Sequence, residues 1–170
     1  MDLKQFVRDV PDFPKPGILF KDITPLLSSP PAFRHSIELL AEKYKNTKVD
    51  AIAAAEARGF LLAAPLAYLL QTPLIPLRKP GKLPYATTSF SYDLEYGSAS
   101  LHMHVDAFKP GDSVLLVDDV LATGGTMQAA CKLVEQSKGV VAGCAFLIEL
   151  GFLEGAKKLV GYERYSLLTY

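Results

Sequence analysis

VLLVDDVLATGGT, residues 114–126, sets four apolar residues before two adjacent carboxylates and then a run of small residues with two glycines. A continuous apolar run such as Val114–Val117 suits a strand covered on both faces in a parallel sheet. Asp118 and Asp119 then fall at its carboxyl end, the edge at which open α/β sheets bind ligands. Beyond them, Ala122, Thr123, Gly124, Gly125 and Thr126 form a turn of small residues entering a helix. Backbone N–H groups at such a start attract anions, glycines let a phosphate approach closely, and two threonine hydroxyls add donors. The carboxylates beside the loop suit a partner rich in hydroxyl donors. A ribose 5-phosphate meets both demands, with its phosphate in 122–126 and its 2′- and 3′-hydroxyls on Asp118 and Asp119. The paired acids also suit a magnesium shell, directly or through water. The chain has neither G-x-x-x-x-G-K-[ST] nor G-x-G-x-x-G, so two other phosphate loops are excluded.

Working outward, the same alternation of strand and helix repeats. VDAIAAAE (49–56) reads as a strand, followed by Ala57, Arg58, Gly59 and an all-apolar helical run that reads as buried and kinked at Pro65. A strand from Pro73 to Leu77 leads into a basic loop with Arg78, Lys79 and Lys82. Around Gly97, alternating residues Phe90, Tyr92, Leu94 and Tyr96, then Leu101, Met103 and Val105, predict an antiparallel hairpin. A helix from Thr126 that stops at Gly139, a buried strand VVAGCAFLIEL and a last strand YSLLTY complete the order. Upstream, PDFPKPGILFKDITP predicts an irregular, packed segment, and Ser29-Pro30-Pro31 opens a helix with Phe33, Ile37, Leu40, Ala41 and Tyr44 on one face. The expected class is α/β, a mostly parallel sheet flanked by helices with one hairpin insertion.

Composition narrows the class further. The 170 residues carry 18 basic and 18 acidic side chains, a balance without the basic excess that nucleic-acid binding demands. The expected organisation is a single domain over 1–170. FLLAAPLAYLL (60–70) is the longest apolar stretch and falls short of a bilayer span, so no membrane partner is expected. Charges scattered through MDLKQFVRDVPDFP predict a mature cytoplasmic protein. Cys131 and Cys144 each sit in an apolar periodic segment and read as buried thiols. His102 and His104 share the polar face of a strand without a third ligand and read as solvated, as does His35.

Five stretches in register, PDFPKPGILFKDITPLL, AAEARGF, LRKPGKLP, SYDLEYG and VLLVDDVLATGGT, resemble the type I phosphoribosyltransferases, and the adenine phosphoribosyltransferases among them. The resemblance spans nearly the whole chain and implies that family's Rossmann-like fold, with residues 1–28 as a hood and 78–106 as a flexible loop and hairpin. It implies transfer of a phosphoribosyl group from 5-phosphoribosyl-1-pyrophosphate (PRPP) to adenine, with Mg2+ carried mainly by PRPP and water, and a homodimer. Pyrophosphate falls to Glu56, Ala57 and Arg58, across a cis Glu56–Ala57 peptide, and to Arg78, Lys79 and Lys82. By the same likeness Glu95 is the catalytic carboxylate, Tyr96 lies near the ribose, and Leu19, Phe20 and Lys21 bind adenine, Phe20 by stacking. Lys21 stands where the family often has arginine. Ala122 stands where relatives acting on 6-oxopurines carry aspartate, which leans against a 6-oxopurine or orotate substrate. A PRPP sensor without turnover would call for a nucleic-acid surface that the charge balance lacks. The loop from Lys79 to Thr88, interrupted by Pro80, Gly81 and Pro84, is expected to close over the site when PRPP binds.

Overall fold

The computed structural model describes residues 1–93 and 98–170, in two compact units, Met1–Leu39 and Leu40–Tyr170. In the first, β1 (Arg8–Pro11) and β2 (Leu19–Asp22) form an antiparallel ribbon, with Asp9 opposite Lys21. The segment expected to be irregular is therefore partly a strand pair. Pro14 and Pro16 do not interrupt the ladder because both fall in the connection, where Phe13–Pro14 is cis. Asp12 turns the chain with a positive φ, and its Oδ1 accepts the Gly17 N–H at 2.7 Å. The short α1 (Thr24–Leu27) follows, and then α2 (Pro30–Tyr44), whose first turn returns the Phe33 N–H to the Ser29 carbonyl at 2.9 Å.

The second unit holds β3 (Ala51–Ala55), α3 (Arg58–Leu70), β4 (Leu74–Leu77), β5 (Thr87–Asp93), β6 (Ser98–His104), β7 (Ser113–Leu121), α4 (Gly125–Gln136), β8 (Val140–Glu149) and β9 (Arg164–Thr169). Five of the strands pair in the order β4-β3-β7-β8-β9, every pair parallel. From β3 the chain crosses to β4 on one side; from β7 it crosses to β8 on the other. The reversal opens a crevice between the carboxyl ends of β3 and β7, where such sheets receive ligands.

Both faces of the sheet are covered. Ala51, Ala53, Val114 and Leu116 join α4 residues Ala130, Cys131 and Val134 and hairpin residues Leu101 and Met103 in one buried cluster. α3 packs against β3 and β7, with Leu62, Ala63 and Leu66 buried. Each fully buried Leu or Val contributes about 1.5–3 kcal/mol relative to an exposed one, which is why Val114–Val117 shows no alternation.

Several expectations are corrected. β7 does not stop at Val117 but runs through both aspartates to Leu121, because β8 continues to pair with it as far as Leu121↔Glu149. α3, which contains Pro65, is buried on one face only: Leu61 (45% exposed), Tyr68 (83%) and Leu69 (49%) lie outside the core. The 3.6-residue period sends 62, 63, 66 and 67 to the sheet and leaves these three outward. α4 ends at Gln136, and Lys138, not Gly139, takes the left-handed conformation. Gly139 is needed for space, since a Cβ there would sit 2.7 Å from the Phe108 ring. The hairpin forms in regular register from Thr87↔His104 to Asp93↔Ser98, but Val105 lies past its end and is exposed.

The thiols of Cys131 and Cys144 are buried 3.6 Å apart, and this contact and burial push the Cys144 thiol far up, leaving it unreactive. His102 and His104 are partly buried and serve the hairpin, His102 beside Thr87 and Ser100 and His104 against Tyr85. Among the described residues no helix is long and apolar enough to cross a membrane.

Candidate active site

β3 and β7 deliver the two halves of the crevice. Their pairing ends at Ala54↔Val117, so Asp118 to Leu121 keep β8 on one side while the β3 side is open. At the end of β3, the Glu56–Ala57 peptide is cis, as the resemblance implies, and Arg58 begins α3. Gly59 then passes so close to β7 that a Cβ would meet Asp118 Oδ1 at 3.0 Å and the Val117 carbonyl at 3.1 Å. A side chain there would force those neighbours to give by a few tenths of an ångström.

Arg58 Nε donates to Asp119 Oδ2 at 2.6 Å, joining the two strand ends across the crevice. Asp119 is only 4% exposed, whereas the guanidinium is half exposed. Asp118 Oδ1 accepts the Asp119 N–H at 2.8 Å. Burial holds the Asp118 carboxyl well above the usual carboxylate range, the charge of Asp119 adds to that rise, and Arg58 opposes it.

Ala122–Thr126 wraps a small cavity of about 80 Å³, lined from Asp118 and Val120 through Met127. Gly124, with φ +79°, precedes the first turn of α4, which has no side-chain cap and no acidic residue. The N–H groups that a helix start leaves without partners are thus available to an anion of phosphate size.

A larger cavity of about 440 Å³ lies beside it, lined by Ala55, Glu56, Lys79, Pro80, Ser91, Tyr92, Ser98–Leu101 and Thr126. Thr126 lines both cavities, and its Oγ1 lies 3.4 Å from the Tyr92 hydroxyl. Gln136 anchors the hairpin that carries Tyr92, donating to Thr88 Oγ1 at 3.0 Å and the Ser89 carbonyl at 2.8 Å. The apolar alternation at 90 and 92 marks Tyr92 as a packing residue, and only its hydroxyl distinguishes it from Phe90 in the sequence.

Glu56 organises the basic loop. Its Oε1 accepts the Lys79 N–H at 2.7 Å and lies 3.4 Å from Arg78 Nε, and that N–H and the cations hold its carboxyl below the usual range. Arg78 donates through Nη1 to the Lys82 carbonyl at 3.2 Å. Its side chain therefore ties the loop together, while Lys79 and Lys82 are exposed and Lys79 borders the larger cavity.

Glu56→Gln is expected to speed amide exchange across Lys79–Thr88 about tenfold, since an amide oxygen accepts about 1.4 kcal/mol less strongly than a carboxylate. Unchanged exchange would show that the loop is held by other contacts. Because the folded carboxyl lies below its ordinary range, this tie is complete above the ordinary glutamate pKa. It is lost only as pH falls through the lowered value.

Two expected residues, Glu95 and Tyr96, lie outside the described residues. In the first unit, Phe20 is partly exposed and packs edge to face with Phe13, their ring centroids 5.1 Å apart, and Leu19 is exposed. Lys21 is buried, and its ammonium binds Asp9 at 2.6 Å, which gives that side chain a cross-strand role. Among the described residues, no three His, Cys, Asp or Glu side chains gather as a metal cluster.

A model of the phosphoribosyl transferase domain matches residues 22–162. Adenine phosphoribosyltransferase of Kosmotoga olearia is 58% identical over 170 residues, covering all of both chains. That of Maridesulfovibrio salexigens is 56% identical over 168 residues and 99% of each. The chain belongs to the adenine phosphoribosyltransferase family. The family's structures agree: the Thermoanaerobacter pseudethanolicus enzyme superposes with a TM-score of 0.96 at 54% identity, covering 99% of this chain and 98% of that one. The Saccharomyces cerevisiae enzyme, solved with adenine and an imino-altritol bisphosphate, gives 0.92 at 37% identity over 98% and 97%.

Proposed function

We propose that the chain transfers the 5-phosphoribosyl group from PRPP to adenine, giving AMP and pyrophosphate with inversion at C1′. The observation that carries this reading is the meeting, at one sheet edge, of a carboxylate pair, a phosphate-sized loop and a larger cavity bordered by a lysine. A 5′-phosphate fits Ala122–Thr126, and the ribose hydroxyls fit Asp118 and Asp119. The pyrophosphate falls to Ala57, Arg58, Lys79 and Lys82, with Glu56 and Arg78 shaping their loop.

The reaction develops negative charge on the departing pyrophosphate and positive charge on the ribose, so catalysis rests on electrostatic support and water exclusion. Glu95 is assigned the proton that adenine loses at N9, and Tyr96 a place beside the ribose. Adenine recognition is assigned to Leu19, Phe20 and Lys21, the last through its main chain because its ammonium is bound to Asp9. The whole chain is read as one phosphoribosyltransferase domain.

Mg2+ fits this chemistry as a partner of PRPP and water. Asp119 is engaged by Arg58, and Asp118 accepts the Asp119 N–H, so neither offers a ready inner ligand. When bound, the ion would neutralise pyrophosphate charge. A homodimer fits the outward apolar face of α3, whereas the hairpin's apolar face is covered by α4. A cytoplasmic location accords with the reaction.

The test is incubation with Mg-PRPP and a panel of adenine, hypoxanthine, guanine and orotate, reading nucleotide and pyrophosphate. AMP alone is the expected product. Nucleotide from another base, or none, would overturn the assignment.

A further inference from the structure

A phosphate monoester carries nearly two negative charges at neutral pH, yet Ala122–Thr126 contains no cationic side chain. A second segment closes on that loop. After β8 the chain makes a short turn, Gly155–Leu159, and Gly155 presses backbone to backbone against the loop. A Cβ on Gly155 would lie 2.2 Å from the Ala122 carbonyl oxygen, and one on Gly124 would lie 2.5 Å from the Gly155 carbonyl oxygen.

That contact sets Lys158 beside the first turn of α4. Gln128 Nε2 donates to the Lys158 carbonyl at 3.3 Å, and Lys158 Nζ lies 3.8 Å from the point to which a Gly125 Cβ would project. The neighbouring Lys157 pairs with Glu154 at 2.7 Å, whereas Lys158 forms no ion pair among the described residues. A helix start already carries partial positive charge, so an ammonium held against it is unfavourable unless an anion lies within reach of both. The first turn of α4 supplies no such anion.

We propose that Lys158 is a ligand of the substrate's 5′-phosphate, placed by the Gly155 contact, and that it makes the site select phosphorylated over unphosphorylated ribosyl compounds. The inference rests on the reading of Ala122–Thr126 as the 5′-phosphate loop. Its chemistry is a charge-assisted hydrogen bond from an exposed ammonium, which acts on binding more than on the bond-breaking step.

The experiment compares wild type, Lys158→Ala and Lys158→Arg, using ribose 5-phosphate and ribose as binding probes beside steady-state kinetics. For Lys158→Ala the Kd of ribose 5-phosphate and the KM of PRPP are each expected to rise about tenfold, with kcat within about twofold. Ribose affinity and melting temperature should hold, since the side chain is exposed, and Lys158→Arg should recover most of the loss. If wild type prefers ribose 5-phosphate to ribose and Lys158→Ala keeps that preference in full, the lysine's role is overturned and the loop's stands. If wild type shows no preference, the loop reading fails and this inference with it.

Discussion

Replacing Asp118 and Asp119 together by asparagine is expected to weaken PRPP binding by two to four orders of magnitude while leaving the free protein folded. Each ribose hydroxyl loses a charged acceptor, and hydrogen bonds to charged groups contribute about 1.5–3 kcal/mol apiece. The effect on stability runs the other way at Asp118. A carboxyl whose folded pKa is raised costs the protein stability as pH climbs from the ordinary carboxylate value through the folded one. At neutral pH the wild type bears that cost and the asparagine does not, although Asp119→Asn gives up the ion pair with Arg58. Because that arginine is half exposed, its loss of a partner is modest. Melting curves across pH should therefore show the variant gaining on the wild type as pH rises, and calorimetry should show PRPP affinity lowered to that extent. A collapsed melting transition, or retained tight binding, would contradict the assignment of this pair to the ribose.

Glu95→Gln is expected to lower kcat by about 10²–10⁴ with PRPP affinity nearly intact, the range found when a general acid or base is removed. Adenine must shed a proton as N9 bonds to C1′, and glutamine can neither accept it nor balance the charge of the altered base. Rapid-quench measurement of the first turnover separates the chemical step from product release. Near-normal turnover would move the proton to another group and overturn the role assigned to Glu95.

The parts of the molecule that can be read from the sequence are those with a local cause. Val114–Val117 lacks alternation because β7 is covered on both faces, and the carboxylates with the threonine-glycine turn lie next to it in sequence. The hairpin shows itself through alternation that reverses at Gly97. Other features have no local cause. An all-apolar helix such as α3 carries no phase, so nothing in its composition tells the buried Leu62 from the exposed Leu61. The many prolines around 11–16 mask β1 and β2 because the ladder avoids all but the last residue of β1. Nothing next to Glu56 in the sequence accounts for an acid there; its partner is the Lys79 N–H, 23 residues away. Lys158 and Gly155 reach the phosphate loop from some 30 residues downstream, through space alone.

The Gly124–Gly155 contact also bears on how the chain can change over evolutionary time. Connections at the surface ordinarily accept insertions and deletions, and 150–163, exposed over most of its length, has the look of such a region. Here its backbone forms one wall of a loop that belongs to a different part of the chain. The distance along the chain from the end of β8 to Gly155 is thus constrained by the 122–126 loop, and tolerance of length change should resume only past Leu159. An engineer seeking a place for a tag, a split point or a circular permutation would be misled by exposure here, and better served by the connection between β6 and β7, which lines neither the phosphate loop nor the larger cavity.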